Sequence, residues 1–261
     1  MTETQGAGEA GLLRITLIGI AAGLLSGLFG VGGGILIAPA LVLLARMDQR
    51  LAHGTSLGAV LPISVSSLLT YWAHDHVDWR VAACLATGSV LGALVGTRLL
   101  NVLPHRTLAI SFATLLVVTA VRLFLPLASG ERGALSVVEV GVLVLIGFGA
   151  GTLAGLLGVG GGVVMVPAML MYLHMPSAIA KGTSVAVIIP TSIIGTWRNR
   201  RNENVDLRAA AILGFGGIAT AVIGGWLSAR MPDTLSNVLF AALLLAVATR
   251  LIADVRSRAV H

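Results

Sequence analysis

Two glycine clusters carry the most informative residues of this chain. The stretch GLFGVGGGILIAPA at 27–40 is matched by GLLGVGGGVVMVPA at 155–168, with nine of 14 positions identical. Glycine permits left-handed φ and lets another chain or a solute approach the backbone closely. N–H groups freed at the start of a following helix favour an anion. Tight helix packing through small residues is the ordinary alternative. The shift that carries Gly27 onto Gly155 also carries Gly54-Thr55-Ser56 onto Gly182-Thr183-Ser184, Pro62 onto Pro190, and Ser64 onto Ser192. Each Gly-Thr-Ser is expected to open the next helix. Its hydroxyls either cap that helix or turn to the glycine loops and hold substrate oxygens. Pro62 and Pro190 each remove a helical hydrogen bond, which predicts a kink or a hinge.

The candidate substrate-binding set is therefore Gly30, Gly32, Gly33, Gly34, Thr55 and Ser56 with Gly158, Gly160, Gly161, Gly162, Thr183 and Ser184. Lys181 joins it as the nearest positive group, with His53 at the equivalent place. The bland reading of such a lysine is an interfacial, snorkelling side chain. Val-Asp-x-Arg at 77–80 and 205–208 reads as a helix start capped by Asp78 and Asp206.

Other chemistries fit poorly. No Gly-Lys-Ser/Thr follows the glycines, and no soluble βαβ context surrounds them, so neither a phosphate loop nor a dinucleotide fold is supported. His74, Asp75, His76 and Asp78 have no counterpart cluster in the second half, where Asn202, Glu203 and Asn204 stand, and read as a solvated turn rather than a metal site. An intramembrane serine protease needs a histidine at depth, and every His lies near the edge of an apolar run. The one cysteine, Cys84, supports no disulfide framework. No catalytic residue, metal or cofactor is expected.

The elements that hold these residues are apolar runs. Of 261 residues, 56% are hydrophobic and 11% charged, against about 25% charged in an average soluble domain. Mean hydropathy is +0.96. Uncharged stretches run from Ile15 to Ala45, Gly54 to Ala73, Val81 to Thr97, Thr107 to Val121, Val140 to Leu173, Gly182 to Trp197, Ala209 to Ala229 and Thr234 to Thr249. Helices are the default, because hydrocarbon forces backbone polar groups to be satisfied within the segment. The fold class is an all-α polytopic membrane protein of about eight spans, each half holding one glycine-broken helix, or ten spans if the short pieces count. No positive n-region or convincing cleavage site marks Met1–Gly11 as a secretory signal, so the first run reads as retained.

One integrated domain over 1–261 is expected, built from repeats at about 12–127 and 137–253. The repeats are inverted if both pieces of each broken helix cross, and parallel if the pair makes one net crossing. Either arrangement puts Arg198–Arg208 and the C-terminus in the cytoplasm. The net charge of +6 comes from basic residues at the ends of apolar runs, not from a nucleic-acid stripe. All eleven carboxylates lie in loops or at span ends. Intramembrane carboxylates mark proton relays and cation paths, so their absence at depth suits an anion or a neutral solute.

The paired glycine pattern with its Gly-Thr-Ser and the apolar spans resembles the TauE/SafE sulfite exporter family over about Leu12 to Ile252. The resemblance implies a permease of the bacterial inner membrane for sulfite or a related sulfur-containing anion. It also implies no enzymatic activity, and a small anion and the lipid bilayer as partners; a homo-oligomer is compatible with it. The expected mechanism is a secondary transporter whose halves rock about a central site. A non-transporting assembly module and an anion channel are the competing readings.

Overall fold

The computed structural model describes residues 3–102, scattered positions from 104 to 121, and residues 136–257. Arg106, Arg122, the loop of Glu131, Arg132 and Gly133, and Arg258 lie outside the described residues, as does the junction expected between the two repeats.

All regular structure among the described residues is helical. The helices are α1 (Glu3–Phe29), α2 (Gly34–Leu43), α3 (Gln49–Trp72), α4 (Trp79–Val102), α5 (Val137–Leu157), α6 (Gly162–Tyr172), α7 (Ser177–Arg201), α8 (Leu207–Ser228) and α9 (Asp233–Ser257). Helical positions at Ala113, Leu116 and Ala120 are buried in the same apolar core as residues of α4 and α9. Among the described residues six helices are long and apolar enough to cross a membrane, namely Gly11–Phe29 of α1 with α3, α4, α5, α7 and α8. The protein is therefore a polytopic membrane protein. At 1.5 Å per residue, α2 and α6 span only about 15 Å each, half of a hydrocarbon core of about 30 Å.

Glycines at four-residue spacing set the packing. Gly19, Gly23 and Gly27 of α1 meet the backbone of Leu213, Gly217 and Ala221 of α8 in the same order. Gly147, Gly151 and Gly155 of α5 meet Leu85, Ser89 and Ala93 of α4 likewise. With no Cβ between them, these helix pairs run parallel in backbone contact. Gly58 faces Ala210, Gly214 faces Pro62 and Gly225 faces Thr70, so α3 runs parallel to α8 as well.

The direction of the other helices follows from two hydrogen bonds. Asp78 N–H, in the turn after α3, reaches Thr183 Oγ1 at the start of α7 at 2.9 Å. Asp206 N–H, after α7, reaches Thr55 Oγ1 at the start of α3 at 2.9 Å. Thus α3 and α7 are antiparallel, whereas Ser89 pairs with Thr191 at 2.8 Å where α4 runs alongside α7. Helices α1, α3 and α8 point one way; α4, α5 and α7 point the other. Helices that the sequence pattern pairs, α1 with α5, α3 with α7 and α4 with α8, therefore run in opposite directions.

Gly-Thr-Ser does not open a helix, contrary to the sequence expectation. Asp48 caps α3, accepting Arg50 N–H at 2.9 Å, and α7 starts after extended Pro176, so both motifs lie within the second turn. A Cβ at Gly54 or Gly182 would enter the carbonyl of Asn204 or His76, which explains glycine there by close approach of the opposing turn. Asp78 and Asp206 do cap their helices, accepting Val81 N–H and Ala209 N–H at 3.0 Å each. Helices α3 and α7 continue through Pro62 and Pro190, leaving the carbonyls of Gly58 and Ala186 without their helical donors.

The two ends differ in charge. Arg46, Arg50, Arg198, Arg200, Arg201 and Arg208 gather where α3 starts, whereas Arg80 and Arg230 stand at the end where α3 finishes. All four tryptophans are half-exposed, near helix ends. Arg201 stacks over Trp197 at one end and Arg230 over Trp226 at the other, the placement of interfacial aromatic belts.

Candidate functional site at the crossing of two glycine breaks

Gly30, Gly32 and Gly33 have φ of 68°, 73° and 75°, and Gly158, Gly160 and Gly161 have 69°, 80° and 81°. These left-handed residues turn the chain out of α1 and α5 and release it into α2 and α6. The two breaks meet. A Cβ at Gly34 would lie 2.6 Å from the carbonyl oxygen of Gly158, and one at Gly162 would lie 2.8 Å from that of Gly30. Each glycine in the motif has its own reason: three need positive φ, and the fourth touches the opposing backbone.

Val60 and Ile188, halfway along α3 and α7, close the crossing. A Cβ at Gly32 would stand 2.9 Å from Val60 Cγ1 and 3.2 Å from Ile188 Cγ2; one at Gly160 would stand 3.3 Å and 3.1 Å from the same two atoms. Ser64 Oγ lies 3.1 Å from the Gly32 position. Ser64, Ser184 and Ser192 are fully buried, and their hydroxyls have no hydrogen-bond partner among the described residues. Buried polar groups are normally paired, so three such hydroxyls on the two helices flanking the crossing are conspicuous.

The helix starts add donors. Gly33 and Gly161 occupy the N-cap positions of α2 and α6 with no side-chain cap. The first closing bonds run from Leu36 and Ile37 N–H to Gly33 C=O, and from Val164 and Met165 N–H to Gly161 C=O. The earlier N–H groups of Gly34, Ile35, Gly162 and Val163 make none of the described hydrogen bonds. They carry the partial positive charge of a helix N-terminus.

The structure spreads the remaining sequence candidates around this centre. Ser56 donates to Gly158 C=O at 2.7 Å and His53 Nδ1 contacts Leu157 O at 2.6 Å, so both brace the second break. Thr55 and Thr183 bind the opposing turns rather than the glycines. Lys181 does not snorkel. It is buried, its backbone packs on Gly30, and its Nζ donates to Ser236 Oγ at 2.6 Å and Ser228 Oγ at 3.1 Å. Tyr71 completes that cluster, its hydroxyl donating to Gly27 C=O and lying 3.3 Å from Ser228 Oγ. Sequence reasoning missed Tyr71, Ser228 and Ser236, because isolated hydroxyls on three separate spans show no spacing.

Above this cluster, a cleft of about 620 Å³ opens between the turns, lined by Asp75, Asp78, Arg80, His174 and Pro176. His74 Nδ1 contacts Thr70 O at 2.8 Å, and its ring stacks with that of His76. Burial, then the charges of His74 and Lys181, hold the His76 imidazole below its usual pKa; Asp75 acts the other way.

The chain matches the family described as Sulfite exporter TauE/SafE over residues 3–137 and 143–260. It belongs to that family. TauE/SafE proteins are membrane transporters, and this chain is one by membership. Its relatives include the probable membrane transporter protein YunE of Bacillus subtilis, 26% identical, covering 85% of this chain and 88% of the relative. A probable membrane transporter protein of Xylella fastidiosa strain 9a5c is 30% identical, covering 89% and 90%. YjnA of Bacillus subtilis is 28% identical, covering 92% and 99%. No solved structure matches the chain.

Proposed function

We propose that this TauE/SafE protein is a secondary transporter of a small sulfur oxyanion, sulfite or a close relative. The anion would be held at the glycine crossing by the N–H groups that start α2 and α6 and by the hydroxyls of Ser64, Ser184 and Ser192. The observation that carries the reading is the meeting of two uncapped helix starts beside buried hydroxyls without partners. Backbone outside regular helix is tolerated at membrane depth where protein buries it or a cavity needs it, and paired broken helices point to a transporter's midplane site. The ten carboxylates among the described residues all fall in loops or within a few turns of helix ends, which favours an anion over a cation.

In this reading the two halves, about 12–127 and 137–253, are duplicated units that rock against each other. Lys181 and the two Gly-Thr-Ser threonines position the units; the glycines and serines touch the solute. The arginine-rich end faces the cytoplasm of a bacterial inner membrane and carries the C-terminus, following the positive-inside rule.

Sulfite flux into proteoliposomes containing purified protein tests the function, with sulfate and a sulfonate as competitors. The reading expects saturable flux above protein-free liposomes, with counterflow. Saturable flux without counterflow would shift it to a channel. No flux of any oxyanion, in either direction or under an imposed potential, would overturn it in favour of an assembly module.

A further inference from the structure

The two halves differ in what lies between the crossing and each end of the molecule. On α7, Ser192, Thr196 and Asn199 follow at four- and three-residue intervals, so they share one face of the helix. Ser192 and Asn199 are fully buried. The hydroxyls of Ser192 and Thr196 and both amide atoms of Asn199 have no hydrogen-bond partner among the described residues. This face looks onto α3: the Asn199 Cβ stands 3.2 Å from the Cβ position of Gly54, and Thr196 Cγ2 stands 3.6 Å from that of Gly58. One turn beyond Gly54 on the same face of α3 is Arg50, whose Nε is also buried without a partner. The stripe thus leads from Ile188 at the crossing to the arginine-rich end.

The corresponding positions on α3 are Ser64, Leu68 and Tyr71. There the polar series is interrupted by leucine. Its last member is bonded to Gly27 C=O and tied through Ser228 to Lys181 and Ser236. Beyond the serine that heads each series, the α3 series ends in a satisfied hydroxyl at Tyr71, whereas Thr196 and Asn199 on α7 have no partner among the described residues. Asn199 offers both donors and an acceptor, and its Cβ faces Gly54, which has no side chain.

We propose that the solute travels between the glycine crossing and the arginine-rich end along the α3–α7 interface, past Ser192, Thr196 and Asn199, with Arg50 at the mouth. This rests on the transporter reading, and it assigns Asn199 as a specificity-determining residue of the route. In this structure α3 itself closes the stripe, so passage requires the halves to part there.

Cysteine accessibility tests the route without reference to the substrate. In a Cys84→Ala background, Thr196→Cys and Asn199→Cys are exposed to a membrane-impermeant sulfonate thiol reagent from each side. Glu203→Cys in the turn after α7 identifies the arginine-rich side, and Ile193→Cys on the exposed face of α7 is the lipid-facing control. The proposal expects both route positions to react from the Glu203 side, at least tenfold faster than Ile193→Cys. Ser192→Cys, nearly isosteric, serves if either variant fails to fold. Route cysteines that stay unlabelled while Glu203→Cys reacts, or that react only from the opposite side, overturn it. Flux separates the two readings. Labelling along the stripe without any anion flux refutes the oxyanion assignment and leaves the route; saturable flux without labelling refutes the route alone. Asn199→Ala adds a functional readout. Half-saturation for the transported anion should shift at least fivefold with no fall in thermal midpoint, because the carboxamide has no hydrogen-bond partner among the described residues. A fall in midpoint with unchanged half-saturation would make Asn199 structural and overturn its assignment.

Discussion

The Thr183 hydroxyl accepts the backbone N–H of Asp78 at 2.9 Å, and at the equivalent place in the first half the Thr55 hydroxyl accepts that of Asp206 at the same distance. Each half thus holds the turn that launches the other's long helix. The Gly-Thr-Ser motif is an inter-half clasp: glycine admits the opposing carbonyl and threonine binds the opposing N–H.

Replacing Thr183 with Val should therefore lower stability rather than solute affinity. The change leaves the Asp78 N–H without its acceptor, a cost of about 1–3 kcal/mol. Thermal unfolding in detergent should show a lower midpoint for Thr183→Val and for Thr55→Val. Thr183→Ser should restore most of the loss.

The glycines divide into two kinds with opposite expected outcomes. A Cβ at Gly34 would lie 2.6 Å from the Gly158 carbonyl, and neither backbone can retreat from the centre of the bundle. Gly34→Ala should cost at least about 1–3 kcal/mol through overpacking. Gly149, on α5, has nothing within 4 Å of its Cβ position. Gly149→Ala should leave the thermal midpoint unchanged or slightly raised, because alanine is the better helix former. Equal losses at both positions would contradict the crossing geometry.

Much of this was legible in the sequence. The constant shift between the two GxGGG clusters located both breaks, because left-handed φ leaves glycine as the fitting residue. Their meeting was not legible, since Gly34 and Gly158 are joined only by tertiary contact. The inverted direction of the halves was undecided by basic residues and emerges from which helices the small residues bring together. Spacing at 192, 196 and 199 was visible on the chain, yet three polar residues in an apolar span reveal their lack of partners only once the neighbours are placed. The burial of Lys181 was hidden for a similar reason: its hydroxyl acceptors come from two other helices, α8 and α9, far from it along the chain.

The turn between α3 and α4 should give the protein a modest acid sensitivity. His76 has its pKa lowered from 6.5, chiefly by burial. A histidine whose folded pKa lies below its unfolded value binds fewer protons when folded, so stability rises with pH through the interval between the two values. On acidification the loss begins near pH 6.5 and levels off below the folded pKa. Thermal midpoints at pH 7.5 and 5.0 should differ less in His76→Gln than in the parent, and an unchanged difference would assign the sensitivity elsewhere.

The central claim is that the solute binds where the two glycine breaks cross, against Ser64 and Ser192. Counterflow of radiolabelled sulfite under anoxic conditions, in proteoliposomes of the parent and of the Ser64→Ala/Ser192→Ala double variant, tests it most directly. Saturable exchange in the parent is expected, with half-saturation raised at least tenfold in the double variant and no loss of thermal stability, since neither hydroxyl has a hydrogen-bond partner among the described residues. Exchange with the same half-saturation in both proteins, or none in the parent, would contradict it.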